Sequence, residues 1–191
     1  VSIPREPEKA LLFCGVLYSD EERFRTAVGK LIDLFGSLNF LTEPRLFVET
    51  KYYEPEMGSP IYRCYLGFED LVDPGWLADI KLTTNNLENE LAVFGNRRVN
   101  LDPGLLSEER LVLATGKNYT HRIYIGKGIY AELTLIYSRG AYRPLPWTYP
   151  DYRKRELLHL LGVVRQELIF RRTDKIPSKP YNLPDDLEGI L

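Results

Sequence analysis

Apolar positions along the chain fall into unbroken runs and helical stripes, and the order of the two sketches a fold. Residues 10–18 (ALLFCGVLY) form an almost uninterrupted apolar run of strand length, the pattern of a central strand buried on both faces. Ser19 stands three residues before Glu22, a capping-box spacing, and Phe24, Ala27, Val28, Leu31, Ile32 and Phe35 then recur at helical intervals up to Gly36. Residues 45–53 and 61–68 fit a second and a third strand, joined through the turn-rich residues 54–60. Asp73-Pro74 opens a second helix whose stripe is Ile80, Leu87, Leu91 and Phe94, with a kink or break expected at the poor helix formers Thr83-Thr84-Asn85-Asn86. Residues 97–102 alternate as a fourth strand, with Val99 and Leu101 on one face and Arg98, Asn100 and Asp102 on the other.

Strand, helix, strand, strand, helix, strand is the order of the ferredoxin-like split βαβ unit. Right-handed crossovers would set its first and third strands side by side, and with them Cys14 and Cys64. Beyond this core, residues 110–115 read as a strand and residues 121–137 as a hairpin turning at Gly126-Lys127-Gly128. A three-residue turn there pairs Ile125 with Ile129, Ile123 with Ala131 and Arg122 with Glu132. It gathers the isoleucines, Ala131, Leu133 and Leu135 on one face, with His121 on their side, and Arg122, Tyr124, Tyr130, Glu132 and Thr134 on the other. A last helix follows over residues 151–172, with Asp151 as N-cap, a buried stripe of Leu157, Leu161, Val164 and Leu168, and more basic than acidic residues. The expected architecture is a single α+β domain over residues 1–172, a ferredoxin-like core extended by a strand, a hairpin and a helix. Residues 173–191, with Pro177, Pro180 and Pro184, read as an arm or tail.

Composition sets bounds on this picture. The 191 residues are enough to bury roughly 70% of the unfolded chain's surface, so neither metal nor disulfide is required for folding. A net charge of −2 argues against a surface that is basic all over, though a local basic face remains compatible with it. Cys14 and Cys64 lie in apolar runs, as buried thiols of a reducing compartment do. No apolar run approaches the ~20 residues of a membrane span, and the start lacks a signal-peptide pattern, so the default expectation is cytoplasmic with no membrane partner.

Chemistry concentrates in residues 100–153. The commonest nucleotide-loop, dinucleotide, zinc-protease and serine-hydrolase motifs are missing from the sequence. With two histidines and two core cysteines, a Cys/His zinc site is not expected, and His159 reads as structural. Asn100 and Asp102 can bind a hard cation or a sugar hydroxyl, or simply turn the chain before Pro103-Gly104. Arg122 and Glu132 can be a cross-strand ion pair, or Arg122 can grip an anion while Glu132 orients it, or Glu132 can share a divalent cation with Asp102. Lys117, His121 and Arg122 together suit a phosphate or carboxylate, with His121 as a proton-transfer candidate. Trp147, Tyr149 or Tyr152 can form a stacking wall and Arg153 an anion contact, with Tyr124 a further ligand-binding candidate, while Tyr52-Tyr53 followed by Glu54 and Glu56 could add a further wall.

Several of these motifs occur together in a known pattern. Tyr52-Tyr53-Glu54, Asn100-Leu101-Asp102-Pro103-Gly104, His121-Arg122-Ile123-Tyr124 before Gly128-Ile129-Tyr130-Ala131-Glu132, and Trp147-Thr148-Tyr149-Pro150-Asp151-Tyr152-Arg153 resemble the prokaryotic family called domain of unknown function 4416. The likeness runs from Leu11 to Arg172. Some members carry a GTP-binding label, so the resemblance implies nucleotide binding as a lead, without a GTPase loop in this chain to support it. The combined expectation is a small anionic ligand, a nucleotide or phosphorylated metabolite, held by Asn100, Lys117, Arg122, Tyr124, Trp147, Tyr149 and Arg153. Asp102, Glu132 and His121 are the candidates for catalysis, which the sequence leaves undecided. The rival expectation is an RNA-binding or protein-interaction module using the sheet face or the basic last helix.

Overall fold

Every residue of strand β1 (Ala10–Tyr18) is buried, and its two faces feed different cores. Ala10, Leu12, Cys14, Val16 and Tyr18 pack with Phe24, Ala27 and Leu31 of helix α1 (Glu21–Phe35) and with Leu77, Ile80 and Leu87 of helix α3 (Leu77–Glu90). Leu11 and Phe13 point the other way, toward Leu157, Leu161 and Val164 of helix α4 (Arg155–Thr173). Coverage on both sides is the reason the run carries no alternation. The computed structural model describes residues 1–177, and the rest of the expected arm, residues 178–191, lies outside the described residues. Among the described residues, no helix is long and apolar enough to cross a membrane.

The fold is α+β. The remaining elements are β2 (Leu38–Leu41), β3 (Arg45–Leu46), the short helix α2 (Glu54–Met57), β4 (Tyr62–Val72), β5 (Val99–Leu106), β6 (Arg110–Thr115), β7 (Arg122–Gly126), β8 (Ile129–Ser138) and β9 (Ala141–Pro144). They form one nine-stranded sheet in the order β2-β4-β1-β5-β6-β8-β7, with β3 on β4 and β9 on β8, and every pairing is antiparallel. β1 and β4 are neighbours, with Val16 opposite Cys64 and Cys14 opposite Leu66, and both thiols are free and buried.

Local chemistry departs from expectation at several points. Asp20, not Ser19, caps α1, accepting from the Arg23 amide at 3.0 Å, while the Ser19 hydroxyl donates to the Met57 carbonyl. Only Arg45–Leu46 of the expected second strand pairs; Val48 is 75% exposed, and Tyr52-Tyr53 lead into α2. The edge place on β4 is shared with β2, a four-residue strand too short to announce itself by period. α3 runs unbroken through Thr83-Thr84-Asn85-Asn86 and ends at Glu90. There the Thr83 and Thr84 hydroxyls donate back to the Asp79 and Lys81 carbonyls, both at 3.0 Å, and the buried Thr84 shows that packing has overruled propensity.

The hairpin keeps Arg122 opposite Glu132 and Ile123 opposite Ala131, but its turn has two residues, Lys127 and Gly128, both at positive φ. Ile125 is bulged out between the pairs. A second irregularity pairs Leu111 with Leu135 but Val112 with Leu133, leaving Thr134 without a residue opposite it in β6. Leu135 therefore joins the core under α4, whereas Ile129 and Ala131 face α1 and α3.

One irregularity matters most for the site. Pro103-Gly104 makes no turn: β5 continues to Leu106, with Pro103 opposite Cys14 of β1. On its other side β5 pairs with β6 only at Gly104–Leu106. Pro103 has no N–H for a ladder bond, so the pairing ends where proline begins. At Gly104 a Cβ would lie 2.5 Å from the Val112 carbonyl oxygen, so glycine permits the last close approach before the strands part. From there β6 stays with β8 as far as Thr115, and a gap opens between β5 and β6.

Candidate functional site

The gap is a cavity of about 360 Å³. β5 contributes Asn100 and Asp102, α3 contributes Lys81 and Glu88, the end of β6 leads to Lys117, and the hairpin supplies Arg122 and Glu132. Tyr52, Tyr53 and Tyr149 wall the outer side. A volume of this size suits a small metabolite.

A chain of charge-assisted bonds holds the cavity's inner side. Arg97 grips Glu56 through Nε and Nη2, both at 2.7 Å, and its Nη1 donates to Glu88 at 3.0 Å and to the Asn100 amide oxygen at 2.7 Å. The Asn100 amide donates in turn to Asp102 Oδ2 at 2.9 Å. Arg63 Nη1 reaches the same oxygen at 3.4 Å, and its Nη2 lies 2.8 Å from Asp151 Oδ2. Arg63 is buried with its guanidinium 5.5 to 5.6 Å from the ring centroids of Phe47, Tyr65 and Tyr152. Burial pulls that guanidinium down, but Tyr152, Asp151 and Asp102 hold it above its ordinary value. The Leu101 peptide is clamped from both ends: its carbonyl accepts from Lys81 Nζ and its amide donates to Glu88, each at 2.7 Å.

Burial raises the Glu88 carboxyl above the usual range, against the pull of Lys81, the Leu101 amide and Arg97. The opposite holds for Glu56, where the hydrogen bonds from Arg97 lower the carboxyl. A lowered carboxyl stabilises the fold above its unfolded value of about 4.3 and loses that contribution as pH falls through its folded value. Glu56→Gln should therefore be less stable than the unchanged protein by about 0.5–1 kcal/mol at pH 7, a modest figure because this side chain is partly exposed. The difference should vanish in urea titrations as pH falls below about 4.3 and through the lowered folded value.

Six of the residues expected at the site do line this cavity: Asn100, Asp102, Lys117, Arg122, Glu132 and Tyr149. Arg122 Nε donates to Glu132 Oε2 at 2.6 Å, and its other nitrogens reach the Lys117 carbonyl at 3.1 Å and the Tyr149 hydroxyl at 3.5 Å. The other four stand elsewhere. His121 sits in the turn before β7, so strand alternation does not place it with the isoleucines; its Nε2 is 3.2 Å from the same Glu132 oxygen, outside the cavity lining. Trp147 stacks on His121 at 4.8 Å and donates its indole N–H to the Leu133 carbonyl. Arg153 is spent on the carbonyls of Leu145, Pro146 and Thr148, bracing the loop rather than a ligand. Tyr124 lies exposed on the hairpin against Tyr130. His159 is on the exposed side of α4.

Asp102 Oδ2 accepts from Asn100 and Arg63, Glu132 Oε2 faces Arg122 and His121, and among the described residues no group of three or more His, Cys, Asp or Glu could hold a metal ion. Asp151 is not a helix cap, since a 3-10 turn (Pro150–Arg153) precedes α4 and turns the Asp151 carboxylate onto Arg63. The two thiols are poor nucleophiles: burial raises Cys14 strongly and pushes Cys64 up to about 12.

Sequence reasoning passed over Arg63, Lys81, Glu88 and Arg97. A signal existed for three of them. Arg63 interrupts an apolar strand, and Lys81 and Glu88 sit seven residues apart with Thr84 between, on the buried side of α3.

A family model matches residues 8–168, from just before β1 to the last turns of α4. The chain belongs to the family Domain of unknown function (DUF4416). Every cavity residue described above lies inside the DUF4416 match, so the site is built wholly from the family domain. No curated protein and no solved structure matches the chain.

Proposed function

We propose that the cavity binds a small anionic ligand, a nucleotide or phosphorylated metabolite, with Lys117 as its first contact. The observation that carries this reading is the state of the Lys117 ammonium. It donates to the Tyr52 hydroxyl at 3.1 Å and lies 4.9 Å from that ring's centroid, and among the described residues it makes no ion pair. The other cations of the cavity, Lys81, Arg97 and Arg122, each stand within 4 Å of a carboxylate. Lys117 is thus the cation that an anion can recruit without breaking a salt bridge. Beyond the bonds they already accept from Arg97, Asn100 and Arg63, the oxygens of Asn100 and Asp102 keep lone pairs for hydroxyl or amino groups of the same ligand.

A thermal-shift panel of sugar phosphates, nucleotides and divalent ions tests the reading. At a hundredfold excess over Kd, a true ligand adds about 2.7 kcal/mol, or roughly 5–10 °C for a chain of this size. Stabilisation by phosphorylated compounds is the expected result, and a panel with no stabilising member would overturn it.

A ferredoxin-like reading of the core is supported by the order β2-β4-β1-β5, the antiparallel pairings, and the packing of α1 and α3 on one face. Free, buried thiols suit the reducing cytoplasm. The rival use of the basic last helix for RNA draws less support. Arg165 and Arg172 are bonded to Glu108, and Arg171 to the Glu69 carbonyl. For a protein-interaction module, the exposed Ile123 and Tyr124 of edge strand β7 are the supporting feature.

A further inference from the structure

A second cavity, of about 340 Å³, adjoins the first on the far side of Tyr52. Four residues line both: Tyr52, Tyr53, Lys117 and Tyr149. The two cavities are therefore the halves of one cleft, and Lys117 stands on the saddle between them. The partition is light. Among the four shared residues, the Lys117–Tyr52 contact joins an exposed ammonium to a phenol that is 65% exposed. Beside it, in the first cavity, Arg122 Nη2 touches the Tyr149 hydroxyl while its Nε stays on Glu132.

The halves differ in chemistry. The first is floored by Asn100, Asp102, Glu88 and Glu132, a set of acceptors that suits a group rich in hydroxyls. The second is walled by Phe47, Tyr52, Tyr53, Tyr149 and Pro150, faces that suit a flat ring, with Arg63, Glu49, Thr50 and Asp151, each already bonded within the protein, at its edges. An anion on the saddle has a compartment on either side of it. A ligand whose anionic group is terminal fills one half and leaves the other to water.

Resting on the binding function proposed above, we infer that the ligand is bipartite: a phosphodiester or diphosphate that joins a polyhydroxylated group to a flat ring, with its charge on Lys117 and Arg122. On binding, the Lys117 ammonium exchanges the Tyr52 hydroxyl for a phosphate oxygen, which opens the partition. No covalent step is involved.

Calorimetric titration of the full chain with four probes provides the test: UDP-glucose and ADP-ribose as two-armed ligands, glucose 1-phosphate and uridine monophosphate as one-armed ones. At least one two-armed probe should bind tenfold or more tightly than both one-armed probes. Thr50→Trp, which fills the flat-ring half, should erase that advantage, so that two-armed and one-armed probes bind the variant with affinities within about twofold of each other. Its circular dichroism and melting temperature establish that it is folded. Equal affinity for one-armed and two-armed probes would overturn the bipartite inference while the anion site stands. An advantage that survives in Thr50→Trp would overturn the assignment of the second arm. Failure of all four probes to bind would overturn the inference together with the reading of the site on which it rests.

Discussion

Arg63→Met should destabilise the protein by about 3–5 kcal/mol, the usual consequence of removing one partner from a buried ion pair. Asp151 is 3% exposed, and Arg63 Nη2 lies 2.8 Å from its carboxylate. Without the guanidinium, the side-chain partner left to that carboxylate among the described residues is the Tyr65 hydroxyl, which reaches Oδ2 at 3.3 Å, and its charge is stranded in a buried position. Methionine fills part of the space among Phe47, Tyr65 and Tyr152, so the loss measures charge more than volume. In a domain of this size the melting temperature should fall by roughly 6–20 °C. Asp151→Asn in the Arg63→Met background should recover part of the loss, because it removes the stranded charge. Urea denaturation of the two variants measures both terms. A single variant within about 1 kcal/mol of the unchanged protein would mean that solvent already reaches this pair.

Lys117→Ala should have the opposite profile, with little change in stability and a large change in binding. The side chain is exposed and in no ion pair among the described residues, so the melting temperature should hold within about 0.5 kcal/mol of equivalent stability. Binding of a phosphorylated ligand should weaken about 10- to 100-fold, the worth of a charge-assisted hydrogen bond of roughly 1.5–3 kcal/mol. Arg122→Ala should lose both properties, since it also strands Glu132, which is 2% exposed. The contrast between these two variants, read by calorimetry and thermal melts, separates the residue that binds from the residue that also holds the fold.

Much of the frame was legible in the sequence because it depends on local pattern. The unbroken run of β1 announced a strand covered on both sides, and the i, i+2 spacing of Asn100 and Asp102 placed both in the cavity. Arg122 opposite Glu132 followed from the hairpin register despite a wrong turn length, because the error was confined to the bulge at Ile125. What was not legible depends on distant partners. Pro103 looks like a turn in one dimension; with β1 holding the other edge of its strand, it instead ends the β6 ladder and opens the cavity. Trp147 and Arg153 looked like ligand contacts, but the carbonyls of Leu133, Leu145, Pro146 and Thr148 had prior use for them. Arg63, Lys81 and Glu88 meet their partners across strands or helix-to-strand contacts. Composition alone could show only that charges were present in apolar surroundings.

In the proposed reading, the gap between β5 and β6 is an anion site governed by Lys117. Its most direct measurement is an amide-resolved NMR titration of the full chain with glucose 1-phosphate. Shifts should be largest at Thr115, Gly116, Lys117 and Arg122 and should disappear in Lys117→Ala. A titration that saturates with its largest shifts elsewhere, for example along α4, or one that is unchanged in Lys117→Ala, would contradict it.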